Sequence, residues 1–216
     1  MKAACSGRMR GKMSNILNRG KKKAKVIGLS KKEMDRLTDR MGKSSIDILI
    51  EDAFQNLRLI SYQVLHDKCG FGNKRITRVE QIIHGYLDMA ADGNLSVKEL
   101  EYYLKKTCEI DVKEEANKVP FRERFAITEK KVVPAAMQTA GRALLVSICN
   151  YFVLLGICLK TQFKFSARRI KEIFEWMRYY INSLATGYET MAGVTSVLEC
   201  ECGYCDVRFI GKTYEV

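Results

Sequence analysis

Apolar residues recur at helical spacing along most of the chain. Over residues 44–67, Ile46, Leu49, Ile50, Phe54, Leu57, Ile60 and Val64 fall on one stripe, which predicts a long helix closed by the turn Gly70-Phe71-Gly72. A second helix is predicted over 73–91, with Ile76, Val79, Ile83, Tyr86, Leu87 and Ala90 on one face and a stop near Gly93. A third starts at Ser96, where Glu99 three residues on completes a capping box and Val97, Leu100, Tyr103 and Leu104 form the buried stripe. Ahead of these, residues 30–41 predict a short helix with its own box, Ser30 and Glu33, ended by Gly42. The tail 204–216, with β-branched and aromatic residues, predicts a short strand or hairpin.

This plan occurs twice. Sliding the sequence against itself by 94 residues places Leu65 on Leu159, Phe71 on Phe165, Arg75 on Arg169, Ile76 on Ile170 and Tyr86 on Tyr180. Ala91 meets Ala185, Gly93 meets Gly187, Leu104 meets Leu198 and Cys108 meets Cys202, which makes nine identities in 44 positions without a gap. Val79 with Ile173, Ile83 with Met177, Leu87 with Ile181 and Leu100 with Val194 keep the apolar character. Self-similarity at a fixed offset is the mark of repeated architecture. The expected fold is all-α, a tandem duplication of a three-helix unit. A basic arm, 1–29, comes first, then the short helix with the first unit, 30–112. Residues 109–133 connect the copies, with the linker proper at 113–133, and the second unit with its tail occupies 134–216, its helices over 135–199.

Residues 143–159 (ALLVSICNYFVLLGICL) raise the question of a membrane span, but 17 residues is short for one, and Ser147, Asn150 and Gly156 interrupt the stretch. Its counterpart in the first copy carries Glu51, Asp52, Gln55 and Arg58 and reads as an amphipathic, soluble helix. A buried core helix is therefore expected, and no membrane partner. Only Pro120 and Pro134 interrupt the chain, and 47% hydrophobic composition is ample for a packed core.

Charge changes the picture more than composition does. The formal net charge is +12, and residues 1–28 hold Lys2, Arg8, Arg10, Lys12, Arg19, Lys21, Lys22, Lys23 and Lys25 with no acid, so nine of the excess charges sit in the arm. Such a cluster attracts phosphate backbones through counterion release; a solubilising tail, an acidic protein or a membrane surface are the other readings. A start at Met13 would remove four of the nine. Eight cysteines without a secretory signal read as reduced thiols in a cytosol.

Further cations stand where helices begin: Lys74 and Arg75, with Arg78 one turn on, and Arg168 and Arg169 in the second copy. Cations there oppose the helix dipole by about 0.3–1 kcal/mol each, so compensation is expected. It comes either from a bound anion at the helix start or from an internal salt bridge with Asp67 or Glu80. The stretch DMAADGNLSVKE fits a calcium loop in part, with Asp88, Asp92, Asn94 and Glu99 as ligands, but Ala90 removes one ligand and the second copy lacks two; a capped helix–turn–helix is the simpler reading. Cys200, Cys202 and Cys205 are spaced for zinc without an evident fourth ligand, and Cys108 aligning with Cys202 points to a core position. No metal or other cofactor is expected.

There is no phosphate-binding loop, dinucleotide fingerprint, nucleophile elbow or HExxH, and two histidines leave few general bases, so binding rather than catalysis is expected. Tyr102-Tyr103 and Tyr179-Tyr180 read as core and rim aromatics. The phrase LHDKCGFGNKRITRV, carried by Phe71, Gly72, Lys74, Arg75 and Ile76 and echoed by Phe165, Arg168, Arg169 and Ile170, resembles one in small uncharacterised helical proteins of Firmicutes phages and mobile elements. The resemblance implies a phage-type protein in a bacterial cytoplasm, and by analogy either a nucleic-acid-binding accessory protein or an anti-CRISPR-like inhibitor of a host protein or ribonucleoprotein, such as a defence nuclease. A degenerate EF-hand protein is the third alternative.

Overall fold

The computed structural model describes residues 43–206, which form seven α-helices and no strand. The arm, the short helix expected at 30–41 and the tail beyond Asp206 lie outside the described residues; Tyr204, Cys205 and Asp206 are described and have no regular structure. Helix α1 spans Lys43–Cys69, α2 Asn73–Ala91 and α3 Val97–Cys108; α4, Val112–Asn117, is short; α5 spans Met137–Thr161, α6 Ala167–Ala185 and α7 Met191–Cys202. Helices α5, α6 and α7 each begin 94 residues after α1, α2 and α3, at Met137, Ala167 and Met191 against Lys43, Asn73 and Val97.

The turns between helices match in the same register. Gly70 ends α1 at φ +62°, and the Phe71 N–H donates back to the Leu65 carbonyl at 3.2 Å. After α5, Lys164 takes φ +58° and Phe165 donates to Leu159 at 3.0 Å. Here a non-glycine side chain holds the left-handed conformation that glycine adopts without strain. Gly93 with Gly187, and Glu109 with Gly203, complete the six left-handed residues among those described.

Packing crosses between the two sets of three helices. α1 lies mainly against α5, α6 and α7, while α5 lies against α1, α2, α3 and α4. Each long helix is thus covered by the short helices of the other set, and one continuous core contains residues of both. The α5 stretch is apolar and long enough to cross a membrane by length and composition, and 72% of its apolar window is buried among the other helices. Within it Phe152 stacks face to face on Phe174 of α6, ring centres 4.3 Å apart.

Three local expectations are corrected. The middle of α1, from Asn56 to Leu65, is buried all round, so Arg58 does not face solvent: it is 8% exposed, and its guanidinium pairs with Glu80 and Asp206, each at 2.6 Å. Tyr103 is not part of the buried stripe of α3 but 42% exposed; the buried side of the helix carries Val97, Leu104 and Cys108, with Leu104 beside Gly156 of α5. Ser96 occupies the N-cap position of α3 with extended backbone, yet makes no capping hydrogen bond with its side chain. The caps that do form are Asp111 to Glu114 N–H, Ser166 to Arg169 N–H and Thr190 to Gly193 N–H.

The connecting segment is built into the body. Val112, Ala116, Val119 and Ile127 are buried, and Asn56 of α1 donates to the Ile127 carbonyl at 3.2 Å. Asp52 accepts from the Thr128 hydroxyl at 2.8 Å and the Glu129 N–H at 2.9 Å.

Candidate functional site

The two basic helix starts meet at one end of the molecule because the aromatic residue of each preceding turn is buried against its counterpart. The Phe71 and Phe165 rings pack edge to face at 6.1 Å, and Phe163 joins them at 5.0 Å from Phe71. Four residues after each phenylalanine, one helical turn on, stands an arginine. The Arg169 guanidinium lies 4.0 Å from the centre of the Phe165 ring, and that of Arg75 5.4 Å from Phe71. An exposed cation–π contact contributes about 0.5–1 kcal/mol, enough to offset the dipole cost of a cation at a helix start, about 0.3–1 kcal/mol. Each arginine is therefore held in place by a ring rather than by a carboxylate.

The internal salt bridges to Asp67 or Glu80 are absent. Glu80 is occupied by Arg58 and by the Tyr204 hydroxyl, which donates at 2.9 Å. Asp67 accepts from Gln63 at 3.1 Å and from the Tyr180 hydroxyl. Lys74, Arg75, Arg78 and Arg169 are exposed, and among the described residues no carboxylate pairs with them; Arg168 pairs on the surface with Glu172 at 2.9 Å. No side chain caps the start of α2, whereas Ser166 caps α6. Arg8, Arg10, Lys12, Arg19, Lys21, Lys22, Lys23 and Lys25 lie outside the described residues.

Comparison with family models, with curated proteins and with solved structures finds no match. The site therefore rests on its own chemistry. Beside the residues expected from the sequence, Lys164 stands in the second turn, and Lys68, Lys160 and Lys171 lie on the helices that flank the two turns. The signal for them was present: residues 68–79 and 160–171 contain nine cations and no acid. His66 braces the first turn, its ring bonding the Phe71 carbonyl and the Glu201 carboxylate, each at 3.1 Å. Partial burial acts to lower its pKa, but these two bonds win and raise it.

Neither metal arrangement assembles. Among the described residues no three His, Cys, Asp or Glu side chains come together as metal ligands. Asp88 lies within α2, which runs on to Ala91, so Asp88, Asp92, Asn94 and Glu99 are not wrapped into a calcium loop. Cys202 is buried with its thiol 3.8 Å from the Phe71 carbonyl, while Cys200 and Cys205 are exposed and Cys205 turns towards Glu199. Cys202 is therefore a packing residue.

Proposed function

We propose that this chain is a non-enzymatic nucleic-acid-binding accessory protein of phage type. It acts in the bacterial cytoplasm, its basic arm supplying affinity and its paired helix starts supplying geometry. The observation that carries the reading is the contact series Arg75–Phe71–Phe165–Arg169, which gathers two exposed guanidinium groups with no carboxylate among the described residues to neutralise them. A planar guanidinium lying on a ring keeps its N–H edge available for a phosphate oxygen.

The same reading takes the chain as a tandem duplication of one three-helix unit. The helix starts, the left-handed turn residues and their backbone hydrogen bonds recurring at an offset of 94 residues support it. So does the reciprocal packing, since a contact in which each copy offers the other the same elements is what a two-fold relation produces.

Binding of a labelled oligonucleotide, followed by fluorescence anisotropy across a salt series, tests this. Each phosphate contact contributes about 0.7–0.9 to the slope of log affinity on log salt. Replacing Arg75 and Arg169 together by Gln is expected to lower the slope by about 1.5; removing residues 1–28 is expected to lower it further. Unchanged affinity and slope in both variants would exclude the reading. An inhibitor docking on a host protein is the second reading, favoured by Tyr102 and Tyr103, 64% and 42% exposed on α3, since tyrosine is enriched in protein interfaces. A stoichiometric host protein in place of nucleic acid on purification would select it.

A further inference from the structure

Outward from its basic start, α6 presents a second kind of surface. Arg168, Glu172, Trp176 and Tyr179 share one side of the helix, by the 100° that each residue turns. Trp176 is 38% exposed and Tyr179 55%, their rings 5.6 Å apart at 78°, and neither is absorbed by the core. The ammonium of Lys68, from the end of α1, lies 3.5 Å from the centre of the Trp176 ring. The acids nearby are already engaged: Glu172 by Arg168, Glu175 by Arg178 at 4.0 Å, and Asp67 by Gln63 and Tyr180. At the equivalent positions of α2 stand Ile82 and Gly85, so the aromatic pair belongs to α6 alone.

We infer that the outer side of α6 is a stacking platform for unpaired bases, and that the nucleic acid this protein takes is single-stranded. The inference rests on the nucleic-acid reading above and names the ligand class of that surface. A strand whose phosphates lie on Arg168 and Arg169 is led along α6, and two or three turns on its bases reach Trp176 and Tyr179. A base arriving on the covered face of Trp176 displaces the Lys68 ammonium to its own phosphate. Interior bases of a duplex cannot stack there, because both faces of each are covered by neighbouring pairs; every unpaired base has a π-face to offer, which makes such stacking tolerant of sequence.

Trp176 is the sole tryptophan of the chain and reports on the platform directly. Full-length protein is titrated with a labelled oligothymidine strand and with a duplex of equal length, reading label anisotropy and tryptophan emission together. The strand is expected to quench the emission in step with its binding, and the duplex to leave it unchanged. Tyr179→Leu is expected to weaken the strand about tenfold at an unchanged salt slope, with the melting temperature retained. Salt-dependent binding without quenching, equal quenching by the duplex, or full strand affinity in Tyr179→Leu each overturns the platform and leaves the nucleic-acid reading standing. Absence of salt-dependent binding to either probe overturns both.

Discussion

A guanidinium buried in the middle of α1 is held by carboxylates from two distant parts of the chain, Glu80 on α2 and Asp206 beyond α7. The Asp206 side chain is fully buried, and Tyr204, edge to face with Tyr62, donates to Glu80 beside it. Exchanging such an ion cluster for apolar groups can be neutral, but removing one member leaves uncompensated charge in the core. Arg58→Ala is therefore expected to destabilise by about 3–5 kcal/mol in urea unfolding; a loss below about 1 kcal/mol would mean the carboxylates find water instead. Periodicity assigned Arg58 to the solvent side because polar residues at that spacing usually are there. Nothing within α1 marks it otherwise, since the carboxylates that neutralise it lie 22 and 148 residues on.

Among the elements, those with regular apolar spacing and glycine stops were legible nearly to the residue: α2 runs over the predicted 73–91, and α3 begins after Ser96. The connection was not. Its helix α4 has six residues, too few for a period to show, and its anchors are single buried side chains. One of these is Glu115, which Arg178 of α6 and Lys118 approach at 2.6 and 2.7 Å. Burial acts to raise its pKa, but the hydrogen bonds from Lys118 and Arg178 outweigh this and lower it below the ordinary 4.5. A folded-state value below the unfolded one stabilises fully above the unfolded value, and the benefit fades as pH falls through the folded one. Glu115→Gln is thus expected to cost about 1–3 kcal/mol near neutral pH and progressively less as pH falls below the ordinary 4.5, measured by chemical unfolding at several pH values. A constant deficit across that range would deny the carboxylate its role.

For the whole molecule, the all-α class was readable from spacing, and the paired cations from the 94-residue register. How the two sets of helices combine was not, because sequence similarity between the sets is silent about which covers which. The crossed packing of α1 with α6 and α7, and of α5 with α2 and α3, determines how the chain divides. Residues 1–112 and 134–216 made separately are each expected to lack a cooperative thermal transition, and to regain helicity when mixed, as followed by circular dichroism. A sharp independent transition in either piece would show that a half buries its own core.

That crossing also fixes an order of events during synthesis. The buried run of α1, from Asn56 to Leu65, leaves the ribosome well before α6 and α7 exist to cover it. Contacts so far apart in sequence cannot form early, and apolar surface waiting for them is open to aggregation. The first half must therefore persist as an unfinished intermediate until α6 and α7 have been made, and slowing elongation through residues 113–202 should raise its demand for chaperones.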